Sequence, residues 1–347
     1  MIHRDTCCAR IGLVGNPSDG YHGKTIAVAI RNFWAEATVY ESPRLELRPA
    51  PQDRSDFESV EEMLNNIAQT GYYGGIRLLK AAVKKFFEHH NNNGADLPDR
   101  NFTLQYRTNI PRQVGLGGSS AIITAVMRAL SRFYNVTIPR HILPNVVLAA
   151  ETEELQLSAG LQDRVVQAYG GAVYMDFDRS LMQDRGYGEY ETLDRQNLPP
   201  LFLAYWPQAG QESGKTHDRV RERYELGEQE VVETMQQIAD LTDSARQAMR
   251  NQNRSKLAQV LDRNFDLRAE IYPIQECDKD MVERAREVGA SAKLCGSGGA
   301  IVGTYPNQGV LDEAIDSLSE AGYRVVTPRI AAPVSHGQEE KKKAPAS

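Results

Sequence analysis

The chain has 347 residues, of which 41% are hydrophobic and 25% charged, with a formal net charge of −6. That length holds two domains with cores of their own, and the acidic balance excludes a global basic face for nucleic acid. No apolar run reaches the length of a membrane span and residues 1–8 lack the apolar centre of a signal peptide, so a cytoplasmic protein with no membrane partner is expected.

In chain order, residues 9–15 read as a strand ending in the turn Asn16-Pro17-Ser18-Asp19-Gly20, followed by strand-like runs at 24–30 and 33–40. Helical patterns cover 56–68 and 76–87, the second entered through Gly71-Tyr72-Tyr73-Gly74-Gly75. Residues 102–107 alternate as a half-buried strand, 119–134 carry apolar residues at helical spacing, and a further helix is expected near 145–155. Gly160-Leu161-Gln162-Asp163-Arg164 leads into a short helix and the strand Ala172–Phe177. The polar stretch 178–200 reads as a crossing segment, with a first domain over 1–190 and a second over 191–330. That second half holds a strand at 201–206, a loop through Gly210 to His217, a helical hairpin at 228–250 and 254–270, and a helix at 279–288. A glycine turn between two strands at 293–302, a helix at 309–320 and a strand at 323–327 complete it. Residues 331–347, polar and without apolar period, read as a disordered tail.

The segment Pro111-Arg112-Gln113-Val114-Gly115-Leu116-Gly117-Gly118-Ser119-Ser120-Ala121 stands between a strand and a long helix. Glycines let backbone N–H groups approach a ligand, and a helix start offers unpaired donors at the positive end of its dipole. A glycine pair alone is more often a plain loop; the order strand, loop, Ser-Ser, helix points to phosphate. Gly214-Lys215-Thr216 resembles the end of a Walker loop, but Gly210 stands one residue too close to complete it. The four cysteines have no metal or disulfide spacing and are expected as free thiols, and the seven histidines form no zinc pattern. Phosphoryl transfer needs an acidic Mg²⁺ ligand and a carboxylate near the attacking hydroxyl, and Glu151 and Asp163 are the two singled out. Each alone reads as a surface carboxylate, one among 46 acidic residues.

Three motifs together resemble the GHMP kinase superfamily: Ala9-Arg10…Gly15, Pro111-x3-Gly115-Leu116-Gly117-Gly118-Ser119-Ser120-Ala121, and Lys293-x2-Gly296-Ser297-Gly298-Gly299-Ala300. The resemblance spans residues 9–330 and implies an α+β fold of two domains, the first like ribosomal S5 domain 2 and the second ferredoxin-like. Further stretches are similar to the plant-type glucuronokinases of that group: Gly15 to Asp19, Asn32 to Ala35, Gly71 to Leu79, Asn109 to Gln113, Ala159 to Val165, Val173 to Phe177, Ser213 to Lys215, and Asn264 to Arg268.

That likeness implies ATP-dependent phosphorylation of the anomeric hydroxyl of D-glucuronate. By motif position, Pro111 and Gly115 to Ala121 would hold ATP, Ser120 and Glu151 would hold Mg²⁺, and Asp163 would orient or deprotonate the sugar hydroxyl beside Arg10. Asn16, Asp19, Tyr73, Arg77, Gly160, Arg164, Lys215, Arg268, Gly296, Ser297 and Gly298 are the implied acceptor side, with Arg77, Arg164 or Arg268 expected on the sugar carboxylate. Two departures stand out: Cys8-Ala9 replaces the usual Ala-Pro-Gly before the basic residue, and Gly118 replaces a common serine. Galacturonate or a neutral sugar is the alternative acceptor. A non-catalytic sugar or nucleotide sensor is the alternative of another class, against which the retained Ser120, Glu151 and Asp163 argue.

Overall fold

The computed structural model describes residues 1–50, 53, 58–61, 74–207 and 214–334, with the backbone alone for 214–218. The first sheet is organised on one long hairpin, β1 (Ile2–Val14) against β2 (Lys24–Glu41). The runs expected at 24–30 and 33–40 are one strand. A register shift places Cys8 opposite Trp34 and Ala9 opposite Ile30, so an irregular step in β2 replaces the expected break. β1 starts seven residues before its expected start, and its outer half alternates exposed and partly buried while residues 9–14 are wholly buried.

The other edge of β2 is shared. β5 (Ala172–Asp176) pairs with its first part and β4 (Phe102–Thr108) with its last, while β3 (Glu46–Arg48) adds parallel to β4 and β6 (Glu189–Leu193) antiparallel to β5. Between them, at residues 29–31, the edge is filled by chain from the far end of the sequence. Arg31 N–H donates to Arg329 O (2.7 Å), Ala331 N–H donates to Ala29 O (2.9 Å), and Val334 N–H donates to Tyr169 O (2.7 Å). Residues 331–334 therefore pack on the first sheet, contrary to the expected tail; residues 335–347 lie outside the described residues, as does most of the helix expected at 56–68.

Helices α1 (Gly75–Asn92), α2 (Gly118–Tyr134), α3 (Leu143–Thr152) and α4 (Gln162–Tyr169) cover this sheet, α2 lying across β1 and β2. α2 is buried nearly all round, which suits a helix with sheet on one side and helices on the other. The stretch 178–200 is more ordered than expected. Asp178 caps α5 (Arg179–Arg185) by accepting from Ser180 N–H (2.9 Å), and β6 follows, so the first sheet runs past residue 190.

The second sheet has the order β10 (Arg324–Val326), β7 (Leu201–Tyr205), β9 (Ala300–Thr304), β8 (Ser291–Leu294), all antiparallel. In chain sequence that is the 4-1-3-2 order of a ferredoxin-like sheet. Helices α6 (Gly214–Glu225), α7 (Gln229–Arg250), α8 (Arg254–Ile271), α9 (Glu276–Glu287) and α10 (Gln308–Glu320) complete it. One apolar core is continuous from Ile11 and Val28 of the first sheet through Ala245 and Leu261 of the helical hairpin to Val302 of the second. The glycine turn between β8 and β9 is thereby set against β1 and the loop after β4.

Candidate active site

The loop between β4 and α2 turns through Gly115 (φ 64°) and Gly117 (φ 72°), a left-handed conformation that suits glycine. A side chain at either would also meet atoms: a Cβ on Gly115 would lie 2.7 Å from Gly298 O, and one on Gly117 would lie 3.0 Å from Gln167 Nε2. Leu116 O accepts from Arg10 N–H (3.1 Å), which ties the loop to β1. The first intrahelical bond runs from Ala121 N–H to Gly117 O (3.1 Å), so the amides of Gly118, Ser119 and Ser120 have no acceptor among the described residues. They are anion donors in the sense of a helix start.

Behind this loop runs a buried chain of alternating charge. Ser119 Oγ donates to Glu151 Oε1 (2.6 Å), and Glu151 Oε2 accepts from Arg164 Nε (2.7 Å) and Nη2. Arg164 Nη1 donates to Gly160 O (2.7 Å) and stands 3.5 Å from Asp163 Oδ2. Asp163 takes a bidentate pair from Arg10, Nε to Oδ1 at 2.5 Å and Nη2 to Oδ2 at 2.6 Å. Arg10, 5% exposed, then reaches Gly115 O (2.5 Å) and Cys295 O (3.3 Å) through Nη1. One guanidinium thus joins a carboxylate, the loop after β4 and the glycine turn of the second domain.

Two carboxylates here are driven apart. Burial pushes Asp163 up, but the guanidiniums of Arg10 and Arg164 outweigh it and hold the carboxyl below the ordinary range. Burial and the neighbouring Asp163 charge raise Asp19 to about 6. Asp19 Oδ2 accepts from Gln162 N–H (3.2 Å) and occupies the space a side chain on Gly160 would need, with a Cβ there only 2.1 Å away.

The turn at 295–299 is held from behind. Cys295 O accepts from Gly12 N–H (2.8 Å), Gly296 O from Arg268 Nη1 (2.6 Å), and Asp278 Oδ1 accepts from Gly299 N–H (2.7 Å). Gly296 faces Gly115 O and the Arg10 guanidinium so closely that a Cβ would sit 2.4 and 3.0 Å from them.

A strand, glycine loop and helix stand beside a buried Arg–Asp pair and a second glycine turn. Residues 77–171 match the GHMP kinases N terminal domain and residues 245–324 the GHMP kinases C terminal domain. Glucuronokinase 1 of Arabidopsis thaliana is 45% identical over 304 residues, 85% of this chain and 82% of the relative. The chain belongs to the GHMP kinase family. Probable glucuronokinase 2 of the same plant is 46% identical over 302 residues, with the same coverage. Among solved structures, a Lin0012 protein from Listeria innocua has the same fold at 14% identity, with a TM-score of 0.76 over 97% of this chain and all of that one.

In this GHMP kinase the residues expected from sequence divide into three groups. Arg10, Asp163, Glu151, Arg164, Asp19, Gly160 and the loops at 115–121 and 296–298 converge on one region. Others are placed differently. Ser120 Oγ donates to Gly117 O (3.1 Å), and it is Ser119 that meets Glu151. Asn16 is 3% exposed, its side chain engaged by Lys293 Nζ and by Leu294 O (3.4 Å). Of the three arginines expected on a carboxylate, Arg164 is ion-paired with Glu151 and Arg268 is buried on the carbonyls of Gly296 and Ser297. Arg77 is half-buried in the first turn of α1, beyond the Gly75 N–H that Asp53 accepts (2.9 Å). Pro111 lies in the loop between β4 and α2. Tyr73 lies outside the described residues, and of Lys215 only the backbone, in the first turn of α6, is described.

Sequence reasoning did not single out Gln167, Lys293 or Asp278. Gln167 Nε2 donates to Gly117 O (2.9 Å), Lys293 is 1% exposed, and Asp278 caps the glycine turn. The one signal for Lys293 was its place at the head of the third motif. All four cysteines are free. Among the described residues no group of three acidic, histidine or cysteine side chains could hold a metal by itself, and no helix is long and apolar enough to cross a membrane.

Proposed function

We propose that this kinase transfers the γ-phosphoryl group of ATP to the anomeric hydroxyl of D-glucuronate, giving glucuronate 1-phosphate and ADP. The observation that carries the reading is the 45–46% identity to two plant glucuronokinases over 85% of the chain. The buried Arg10–Asp163 pair, set between two glycine turns, supports it chemically.

Phosphoryl transfer of this kind rests on positioning and charge stabilisation rather than covalent chemistry. The amides of Gly118, Ser119 and Ser120 bind the nucleotide phosphates. Arg10 lies beside the phosphoryl in flight, where its charge, already oriented by Asp163, opposes the charge that spreads over the transferring oxygens. Asp163 is held ionised and already accepts two strong hydrogen bonds, so it is a weak base and orients the sugar hydroxyl more than it deprotonates it. Mg²⁺ bound with phosphates needs only one or two protein ligands, and Glu151 with the adjacent Ser119 hydroxyl supplies a carboxylate and a hydroxyl at the helix start. Held there, the ion would supply positive charge against the phosphate oxygens. Asp19 and Gly160 line the acceptor side, and a cytoplasmic location suits four free thiols.

ADP release measured over a panel of glucuronate, galacturonate, glucose and galactose tests the acceptor. Glucuronate should give the highest kcat/KM; a higher value for another sugar overturns the assignment. Asp163→Asn should keep ATP binding and lose at least about a hundredfold in kcat. Wild-type turnover in that variant would remove Asp163 from its assigned role.

A further inference from the structure

Two buried cations close to the site have no carboxylate within ion-pair distance among the described residues. Arg268 on α8 is 3% exposed and Lys293 at the end of β8 is 1% exposed. Lys293 Nζ donates to Gly12 O (3.0 Å), Leu294 O (2.8 Å) and Asn16 Oδ1. Arg268 donates to Gly296 O (2.6 Å) and Ser297 O (3.5 Å), stacks over Tyr272 at 5.3 Å, and leaves its Nε without a partner among the described residues. Burial pulls both groups below their usual pKa. Charges kept in such a place at a desolvation cost have a reason to be there.

The reason lies in what they hold. In a trans peptide the carbonyl and the N–H point in opposite directions. With the carbonyls of Cys295, Gly296 and Ser297 drawn back by Gly12, Arg10 and Arg268, the N–H groups of Gly296, Ser297 and Gly298 must face the other way. None of those three amides has an acceptor among the described residues. The turn lies against the glycine loop after β4: a Cβ on Gly115 would stand 2.7 Å from Gly298 O, 3.1 Å from Ser297 N and 3.3 Å from Gly298 N. Leu294, the residue before the turn, is fixed by Lys293, which also pins β1 at Gly12 and the turn at Asn16.

We infer that Arg268 and Lys293 are positioning residues that aim the amides of Gly296, Ser297 and Gly298 at the nucleotide phosphates, making the glycine turn a second anion cradle opposite the first. Three converging backbone donors backed by cations are a strong anion nest. The cations act through the carbonyls and need not touch the nucleotide. This assigns Arg268 a role other than recognition of the sugar carboxylate. The inference rests on the kinase reading of the site but not on the identity of the sugar.

The test uses the full chain, labelled with ¹⁵N, and MgADP as the probe. In the wild type, MgADP should shift the amide resonances of Gly296, Ser297 and Gly298 and slow their exchange with solvent. Arg268→Met and Lys293→Met should each weaken MgADP at least tenfold by calorimetry, with Arg268→Lys recovering part of the loss because it keeps a cation and a donor. Lys256→Met, which removes an exposed charge from α8, should bind as the wild type does. Unmoved amide resonances in the wild type overturn the inference, as does wild-type MgADP affinity in either folded methionine variant. If a variant does not fold, the wild-type resonances decide. MgADP binding involves no sugar, so an incorrect acceptor would leave these results intact, and failure here with normal glucuronate turnover would leave the acceptor standing.

Discussion

At the scale of single residues, the packing around Gly296 leaves no room for a side chain between Gly115 O and the Arg10 guanidinium. Gly296→Ala must push the turn away from both, and it should cost at least about tenfold in kcat/KM for ATP by steady-state kinetics. Asp19 gives a pH signature. Its carboxyl is raised to about 6 in the folded protein, so protonation favours the fold: the stabilising contribution is complete below the ordinary carboxylate range and is lost as pH rises through 6. Asp19→Asn should therefore melt higher than the wild type above pH 6, with the gap closing below it. Ionised Asp19 is the form that accepts from sugar hydroxyls, so kcat/KM for the sugar should fall as pH drops below about 6, and this limb should vanish in D19N. The glycines and the Ser-Ser pair were legible in the sequence because a helix start is a local event. Which serine meets Glu151 was not, since neighbouring positions on a helix point about 100° apart and the phase of α2 is set by packing against β1 and β2. Lys293 was illegible for a different reason: a lone lysine reads as solvated, and its burial depends on Gly12 and Asn16, remote in sequence.

At the scale of elements, β2 decides how the first domain closes. Its far edge takes β5, then residues 329–331, then β4. The apolar periods of β4, α2, α8 and β9 were enough to place those elements from sequence, because each buries a face that repeats. Residues 329–334 were read in part as tail because the segment Ile330-Ala331-Ala332-Pro333-Val334 is short and irregular; what orders it is an edge of unpaired groups on β2. Ending the chain at Val326 removes the donors of Arg329, Ala331 and Val334 and the acceptor for Arg31. The shortened protein should melt about 5 °C or more below the full chain by calorimetry, at about 1 kcal/mol for each lost bond. An unchanged melting temperature would mean that this segment contributes nothing to the fold.

At the scale of the whole molecule, two sheets of different topology share one core. Leu201, Tyr205 and Val302 of the second sheet belong to the same apolar cluster as Ile11 and Val28 of the first. A shared core of this kind makes the halves unfold together, and calorimetry of the full chain should show one transition whose van't Hoff and calorimetric enthalpies agree. Two resolved transitions would mean that the halves are independent. The two-domain character and its order were readable from three motifs in sequence. The continuity of the core was not, because Ala245, Leu261 and Ala300 look alike whether they face their own domain or the other.

The seam in β2 also bears on how the protein is made. Ile30 bridges Ile330 and Gly170 bridges Pro333, so the middle of the first sheet has an open edge until residues 329–334 leave the ribosome. The N-terminal half emerges early yet cannot close its own sheet, and its exposed strand edge is a place where a nascent chain pairs wrongly or calls on a chaperone. Completion of the fold is therefore timed by synthesis of these late residues, and the glycine loop after β4, Arg10 and Asp163 stand in an unfinished scaffold until they arrive.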